Sequence, residues 1–406
     1  MILNKSKICV IRHGYFPKDP RVFKEARALC DAGFSVDVIC LKEVNQKKKE
    51  ICDGITVYRI MNAHHRGSVY RYIFEYGLSF IFMAVKATLL FLRQRYVCIQ
   101  VNTMPDFLVF TTLIPRLFGS KILLDMHEPI PELWITKFGK SRFSLIIGLQ
   151  MSIEQLAIKY ADMVITVNDT IRKRFIDRGA DPRKIGVIRN VPDERISINS
   201  PKQESKDEFT MIIHGSIEKY YGHKTIINAL NLLHKKIKYL KLLVVGDGGY
   251  SQQLQRLIEK RGLSNYVHFT GYVSHNRINE YISHSDMGLV SFLPSPFSEL
   301  CQPNKLFEYI ALNKPVVCSR LKAIEEIFDD SSVMFFEPGN AKDLARCILK
   351  LYRNPDKAKQ LVENASVIYE KMKWDKTKNV YLGIVDDLTG NFRETSRRSR
   401  YRWNEW

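Results

Sequence analysis

The chain has 406 residues, of which 45% are hydrophobic and 26% are charged. That length exceeds what one ordinary hydrophobic core supports, so two domains are predicted, and the apolar content excludes wholesale disorder. Lysine and arginine outnumber aspartate and glutamate by 62 to 43, which gives a formal net charge of +19. The partners should therefore carry negative charge, as nucleic acid, anionic lipid or a phosphorylated ligand does.

The first residues and the cysteines both favour the cytoplasm. The apolar run from Ile8 to Ile11 is shorter than the core of a signal peptide, and charged residues follow it. None of the eight cysteines forms a C-x-x-C pair, and several lie in apolar runs. We expect buried, reduced thiols rather than disulfides or metal ligands.

Short apolar runs alternate with longer amphipathic stretches, a pattern typical of parallel sheets covered by helices. The runs form two series, so we predict an α/β protein with two Rossmann-like domains in succession. The predicted strands are 8–11, 35–41, 55–60, 97–101, 121–125 and 163–167 in the first series, and 209–214, 241–245, 267–270, 287–291, 315–319 and 333–335 in the second.

A linker is predicted between the two series. Residues 190–193 precede a polar stretch, 197–208, that has little apolar content. The predicted domains are residues 1–192 and 193–374, with residues from about 375 to 406 packing back on the first. Near the end of the second domain, Asn340 precedes Asp343 by three positions and is predicted to cap a helix.

Residues 70–95 form a stretch apolar enough to cross a bilayer. On a helix, however, Glu75 and Lys86 point the same way within about 20°, and Ser79 and Arg93 lie within about 40° of Glu75. Burying these two charges in hydrocarbon would cost on the order of a few kcal/mol each. We predict an amphipathic helix that lies on the protein core, on a membrane surface or between the two.

The last fourteen residues contain five arginines interleaved with Tyr401, Trp403 and Trp406. Arginine with interfacial tryptophan is typical of a segment that contacts an anionic membrane surface. A solvated disordered tail and a contact with nucleic acid are the alternatives.

A glycine turn follows one strand of the second series, in the run Val244-Val245-Gly246-Asp247-Gly248-Gly249. Glycines at such a turn let the backbone approach a nucleotide closely, which makes Gly246 and Gly248 candidate binding residues. A plain strand-to-helix turn needs glycine as well, so both interpretations stand.

A second candidate segment begins at Pro303, which is suited to open a helix. The turn before a helix offers N–H groups to an anion, and Lys305 could reach the same phosphates. Glu308, further along the helix, would then accept hydrogen bonds from ribose hydroxyls. The alternative is that Lys305 and Glu308 are ordinary surface charges.

The run from Pro303 to Val317, PNKLFEYIALNKPVV, closely resembles the donor-binding segment of glycosyltransferase family 4, which are retaining enzymes with the GT-B fold. Further landmarks of that family occur in order and at sensible spacing: DPRV at 19–22, DMHE at 125–128, VVGDG at 244–248 and FTG at 269–271. The resemblance spans roughly residues 7 to 390. The resemblance implies two Rossmann-like domains that face each other across a cleft. It also implies transfer of a sugar from a nucleoside-diphosphate sugar.

The resemblance also implies roles for individual residues. Glu308 would hold the donor ribose, and Glu299 would contact hydroxyls of the transferred sugar as part of the catalytic centre. His127 would face the reaction centre, unless it is a core histidine bound to backbone. Lys305 and the amides of Leu300, Cys301 and Gln302 would lie around the sugar and the diphosphate. The loop at Gly14 would lie under the phosphates or the acceptor.

The chain departs from the family pattern at three places. Eight residues separate Glu299 from Glu308, where seven are typical, and the loop at Gly14 has a single glycine. The usual phosphate-binding arginine after residue 215 is missing. Lys219 is the first candidate to replace it, and Lys224 or Lys305 are the others.

The resemblance implies a retaining hexosyltransferase. The sequence contains no compact D-x-D motif or His/Cys cluster, which favours a metal-independent site. No cofactor is expected beyond the donor substrate. The basic charge, the 70–95 helix and the aromatic tail favour a lipid-linked or nascent surface-polysaccharide acceptor at the cytoplasmic face of the membrane. A sugar-nucleotide epimerase of the same fold is the alternative enzyme, with a nicotinamide-dependent oxidoreductase behind it. A nucleic-acid-binding protein is the alternative class, although no nucleic-acid module is visible and no nucleic acid is expected.

Overall fold

A computed structural model describes residues 6–62, 69–139, 144–193 and 208–390. The described chain divides into two compact units, one with residues up to 135, 139–190 and from 375 onward, the other with 136–138 and 191–374. The predicted polar linker, except Glu208, and the arginine- and tryptophan-containing tail lie outside the described residues.

The first unit contains an eight-stranded sheet in the order β3-β4-β2-β1-β5-β6-β7-β8. All neighbouring strands are parallel except β3, which pairs antiparallel with β4 at the edge. The strands are β1 (Lys7–Arg12), β2 (Ser35–Lys42), β3 (Lys49–Cys52), β4 (Ile55–Asn62), β5 (Cys98–Asn102), β6 (Lys121–Met126), β7 (Met163–Thr166) and β8 (Ile185–Val187).

The second unit contains a six-stranded, fully parallel sheet in the order β11-β10-β9-β12-β13-β14. Its buried core joins apolar residues of the strands to the helices that cover them. The strands are β9 (Phe209–His214), β10 (Leu240–Val245), β11 (Val267–Gly271), β12 (Met287–Val290), β13 (Val316–Ser319) and β14 (Met334–Phe336).

Helices follow most strands, as the sequence pattern predicts. The described helices are α1 (Pro20–Asp31), α2 (Val69–Gln94), α3 (Leu113–Leu117), α4 (Ile130–Phe138), α5 (Leu145–Tyr160), α6 (Asp169–Asp177), α7 (His223–Leu233), α8 (Ser251–Lys260), α9 (His275–Ser283), α10 (Asn304–Ala311), α11 (Lys322–Glu325), α12 (Ala341–Arg353), α13 (Pro355–Glu370) and α14 (Trp374–Thr389).

The predicted α/β architecture with two parallel sheets is confirmed. Each predicted strand corresponds to an observed one within two residues at either end, because a strand buried on both faces is a continuous apolar run. The predicted cap at Asn340 is also confirmed, since its Oδ1 accepts hydrogen bonds from the backbone N–H of Lys342 and Asp343, at 3.1 Å each. β3 and β8 were not predicted, because one is a largely exposed edge strand and the other has only three residues.

In each sheet the first strands follow one another towards one edge, and later strands follow one another towards the other edge from a switch point. In the first unit this switch lies between β1 and β5, and in the second between β9 and β12. The loops that leave two such strands diverge, which opens a crevice at their carboxyl ends where ligands of α/β proteins bind. Gly14 follows β1, and Gly215 follows β9 directly.

The turn after β10 packs directly on the loop after β9. Gly246 has a φ of +139°, and a Cβ placed on it would lie 2.0 Å from the carbonyl oxygen of Gly215. A Cβ on Gly248 would lie 2.4 Å from the carbonyl oxygen of Ile217. Both glycines are therefore required by close contact between two backbones, which is sufficient reason for them without any ligand.

We expect Gly246→Ala to destabilise the second unit, because the new methyl group meets backbone rather than a flexible side chain. The free energy of unfolding should fall by at least about 2 kcal/mol. Gly249→Ala is the matched control, since its Cβ would approach only the Glu218 side chain, at 3.5 Å. Urea unfolding followed by circular dichroism measures both variants. Equal midpoints for the two would contradict the packing role of Gly246.

Candidate functional site

α10 carries both predicted donor-binding side chains, Lys305 and Glu308, which lie on one face because they are three residues apart. Tyr309, four residues after Lys305, anchors the helix to the sheet. Its hydroxyl donates a hydrogen bond to the Ile212 carbonyl in β9, at 3.2 Å. Its ring also occupies the space above Gly288 in β12, where a Cβ would lie 2.3 Å away. α10 is thereby held against the two strands of the switch point.

The ammonium group of Lys305 lies against two aromatic rings. Its Nζ is 5.3 Å from the ring centroid of Tyr221 and 5.7 Å from that of Phe292, and these two rings stack on each other at 4.5 Å. Gly215 is close as well, since a Cβ placed there would be 3.8 Å from Nζ. The site of Lys305 is thus formed by the loops after β9 and β12 and by the first turn of α10.

Lys305 forms no ion pair with a carboxylate of the described residues. Burial lowers the pKa of Lys305 to about 8, although the charge of Glu308 acts to raise it. Below that pH the side chain is a partly buried cation, which the charge of Glu308 stabilises without a direct ion pair. Such a group is suited to bind phosphate.

Glu308 lies against a histidine that was not among the predicted site residues. Its Oε2 lies 2.9 Å from Nε2 of His214, the last residue of β9, and the Glu308 side chain is 9% exposed. The His214 ring also meets the Tyr309 ring edge to face, at 5.1 Å. The position of His214 at the carboxyl end of a strand beside the switch point is the signal that could have identified it.

The loops after β9 and β12 are joined by backbone contacts. The Leu293 N–H donates to the Tyr220 carbonyl at 3.1 Å, and the Ser291 hydroxyl donates to the Tyr221 carbonyl at 3.0 Å. Next to them, burial and then the charge of Lys305 lower the pKa of His223 to about 3. Because His223 is neutral near pH 7, it does not add to the positive charge of Lys305.

Glu299 lies in a short 3-10 helix, Ser298–Leu300, ahead of α10. Its Oε2 accepts a hydrogen bond from the backbone N–H of Lys322, at 3.1 Å, at the start of α11. In this structure one oxygen of Glu299 therefore serves as a local structural contact.

The three residues after Glu299 are hydrogen-bonded locally as well. Two backbone N–H groups donate within the turn, Leu300 to the Phe297 carbonyl at 3.1 Å and Cys301 to the Ser298 carbonyl at 3.2 Å. The side chain of Gln302 donates to the Ala323 carbonyl, at 3.0 Å. Donation of the Leu300 and Cys301 amides to a ligand would require this turn to rearrange.

Three lysines were candidates for the missing arginine. Lys219 lies in the 3-10 helix Lys219–Tyr221 and is exposed, and Lys224 is exposed on α7. Only Lys305 lies within the crevice between the loops after β9 and β12. Of the three candidates, it has the surroundings of a phosphate-binding cation.

In the first unit, Gly14 lies two residues after β1. Its carbonyl accepts a hydrogen bond from the Leu41 N–H at 2.9 Å, and a Cβ on Gly14 would lie 3.2 Å from Nε of Arg12. Arg12 pairs with Asp19 at 3.0 Å and donates to the Thr103 carbonyl. The loop is therefore lined by the guanidinium group of Arg12.

His127 follows the last residue of β6, and its Nδ1 lies 4.0 Å from Oδ2 of Asp125. Burial, together with the positive charges of Arg12 and Arg21, lowers the pKa of His127 well below its usual value. The ring is therefore neutral near pH 7. Its Nδ1 has no hydrogen-bond partner among the described residues. A core histidine whose two ring nitrogens are both bound by backbone does not fit this unpaired Nδ1.

Comparison with known proteins gives two family matches that divide the chain between its two sheets. Residues 21–194 match the family model described as Glycosyltransferase Family 4, and residues 195–367 match Glycosyl transferases group 1. The EpsD protein of Bacillus subtilis (strain 168) is 28% identical over 226 residues, which are 52% of this chain. The match spans 57% of the length of that relative.

Solved structures match over nearly the whole chain. Sucrose-phosphate synthase from Thermosynechococcus elongatus has a TM-score of 0.75 and 17% identity, over 96% of this chain and 100% of that one. Anabaena Alr3699/HepE in complex with UDP-glucose has a TM-score of 0.72 and 18% identity, over 94% and 99% of the two chains. The chain is therefore a GT-B-fold glycosyltransferase of the group 1 type that resembles glycosyltransferase family 4.

Proposed function

We propose that the protein transfers a hexosyl group from a nucleoside-diphosphate sugar, with retention of anomeric configuration, to a lipid-linked or growing surface-polysaccharide acceptor. The observation that carries the donor part is Lys305, a partly buried ammonium at the switch point of the second sheet without a carboxylate partner in the described chain. Its charge complements the diphosphate. Glu308, one helical turn on, complements the ribose hydroxyls.

A uridine nucleotide is the first donor to test. The Anabaena structure that this chain resembles holds UDP-glucose, and its similarity extends over 94% of this chain. The stacked rings of Tyr221 and Phe292 keep Lys305 from hydration on one side, which strengthens its attraction for a phosphate. We propose that this lysine, rather than Lys219 or a bound metal, neutralises the charge on the leaving diphosphate.

The proposed reaction breaks the bond between the anomeric carbon and the β-phosphate oxygen and forms a bond from that carbon to the acceptor oxygen. The hydroxyl proton of the acceptor goes to the departing phosphate oxygen, so no side chain need act as a strong base. His127 is neutral in this pH range, which suits hydrogen bonding to an uncharged sugar hydroxyl rather than proton donation. Glu299 has the second proposed role at the sugar, through the oxygen that does not bind Lys322.

The acceptor proposal rests on different features from the donor proposal. A lipid-linked or nascent polysaccharide is presented at the cytoplasmic face of a membrane, and we propose that the enzyme works there. The net charge of +19 favours an anionic surface over a neutral one.

Donor binding is tested by thermal stability in the presence of UDP, GDP, their sugar conjugates, NAD and a short DNA duplex. A ligand at about 100 times its dissociation constant should stabilise the protein by roughly 2.7 kcal/mol. We expect one nucleoside diphosphate to do so, and its dissociation constant to rise by about tenfold or more in Glu308→Gln, which loses a charged acceptor. Glu363→Gln, at an exposed position on α13, is the control.

Stabilisation only by NAD or by the duplex would contradict the proposed function. Sugar release or interconversion without any acceptor would instead favour an epimerase. Product analysis with and without a lipid-linked acceptor separates that reaction from transfer.

The charge of Lys305 gives a second prediction. Because diphosphate binds the ammonium form, the dissociation constant of UDP should be level between pH 7 and about 8, the pKa of Lys305 in the free protein. Bound diphosphate raises that pKa, so affinity should fall by up to about tenfold per pH unit above 8 until the pKa of the complex is reached. Titration calorimetry across this range measures the profile.

Lys305→Arg is the matched variant, since arginine stays charged throughout this range. Its affinity for UDP should be nearly independent of pH above 8. The same slope in wild type and variant would exclude Lys305 as the titrating cation.

A further inference from the structure

α2 exposes apolar side chains where a covering helix of a soluble protein is expected to be polar. Its large apolar side chains at Ile81, Phe82, Val85, Leu89 and Leu92 are 46–57% exposed. On a soluble protein the apolar stripe of a surface helix faces the core and the polar stripe faces water. Here the apolar stripe faces outward along three turns.

The side of α2 that faces the protein is mixed, with buried Met83, Ala87 and Leu90 beside polar residues. Ser79 is fully buried, with its hydroxyl 3.5 Å from the sulfur of Met61. Lys86 is half-buried, and its Nζ lies 4.7 Å from the ring centroid of Tyr58 on β4. α2 therefore packs Ser79 and the stem of Lys86 on the protein together with part of its apolar surface, and it leaves a second apolar stripe exposed.

Two further helices expose apolar side chains. α3 and the residue after it expose Leu113, Leu117 and Phe118, at 52–71%. α5 exposes Leu145, Leu149 and Leu156, at 56–93%, and these positions share one side of the helix because they are four and seven residues apart.

The three helices form one continuous surface. The connections β4 to β5, β5 to β6 and β6 to β7 all progress in the same direction along the sheet, and right-handed crossovers place all three on the same face. Direct contacts join them. The rings of Phe91 and Phe118 are 6.4 Å apart, and the guanidinium of Arg116 lies 4.3 Å from the ring centroid of Tyr160 at the end of α5. We name this surface the α2–α3–α5 face.

Basic residues outnumber acidic ones along these segments. Residues 75–121 and 144–161 contain three acidic residues, of which Glu75 is half-buried and Asp106 and Glu154 are buried. The same ranges contain six basic residues: Lys86, Arg93, Arg95, Arg116, Lys121 and Lys159. Four of the six are exposed, namely Arg93, Arg95, Lys121 and Lys159. Leucine and phenylalanine side chains surrounded by exposed cations complement the acyl and anionic headgroup layers of a bilayer.

We infer that the α2–α3–α5 face docks on an anionic lipid surface, with the helices lying in the interface rather than crossing it. α2 is long and apolar enough to span a bilayer, but Met83, Ala87 and Leu90 on its inner side are buried in the protein core. Withdrawing the helix into lipid would expose that core. A second copy fits less well, because a symmetric contact would bring the basic residues of both copies together.

This inference deepens the proposed function. It rests on that proposal only for the reason why the enzyme would bind a membrane. Its test measures vesicle binding without donor or acceptor, so its failure and the failure of sugar transfer are distinguishable. Sedimentation with vesicles of phosphatidylcholine, with and without about 30% phosphatidylglycerol, gives the partition coefficient of the full chain.

The test variant replaces one exposed leucine on each helix: Leu89→Gln, Leu117→Gln and Leu149→Gln together. We expect its partition coefficient on phosphatidylglycerol vesicles to be at least about tenfold lower than that of the wild type. The matched control is Val44→Gln, Ile51→Gln and Val367→Gln, at side chains of equal or greater exposure outside the α2–α3–α5 face. The control should bind as the wild type does. All three proteins should retain the same melting temperature and the same nucleotide-induced stabilisation.

Wild-type binding should also weaken as salt is raised to about 0.5 M, because exposed cations are screened. Equal binding by the test variant and the wild type would overturn the inference, as would absence of binding by the wild type. A wild-type dimer that the leucine variant converts to a monomer, without vesicle binding, would show instead that this face is an interface between two copies.

Discussion

The ion pair between Arg21 and Asp125 is buried at the carboxyl edge of the first sheet, and much of that unit is arranged around it. Arg21 donates to both oxygens of Asp125, at 2.8 and 2.7 Å, and Asn102 donates to the same carboxylate at 2.7 Å. Gln100 extends the cluster by accepting from Tyr381 on α14, at 2.6 Å. A buried charge that lost its partner here would cost about 3–5 kcal/mol, so α1, β5, β6 and the returning C-terminal helix are fixed together.

Burial leaves the candidate residues of the two units in different charge states. In the first, burial and the guanidinium groups of Arg12 and Arg21 lower the pKa of His127, which leaves a neutral ring with an unpaired nitrogen. In the second, burial lowers the pKa of Lys305 only to about 8, which leaves a cation at neutral pH. A neutral hydrogen-bonding group suits a sugar, whereas an ammonium suits a diphosphate. The chemistry proposed for each residue thus follows from how far its environment shifts its pKa.

The sheets could be predicted from the sequence because buried parallel strands are apolar runs. β3 could not, since an exposed edge strand needs no such run. The placement of Lys305 and Glu308 on one face was predictable because both lie on one short helix, three residues apart. The contact of Glu308 with His214 was not, since it joins a side chain of α10 to one at the end of β9, about 90 residues earlier in the chain. The Gly246 turn is a different case. Its glycines are typical of nucleotide binding, but close packing against Gly215 already requires Gly246.

The orientation of α2 marks a limit of amphipathic patterns. The sequence pattern identifies a polar stripe on a largely apolar helix, but it does not say which side of the helix meets the protein. Tyr58 accepts Lys86 over its ring and Ser79 is buried, so the polar stripe packs on the protein beside Met83, Ala87 and Leu90. The exposed apolar side then has no counterpart in water. An anionic lipid bilayer, which is apolar inside and negatively charged at its surface, supplies that counterpart. The exposed cations of the same segments complement its headgroups.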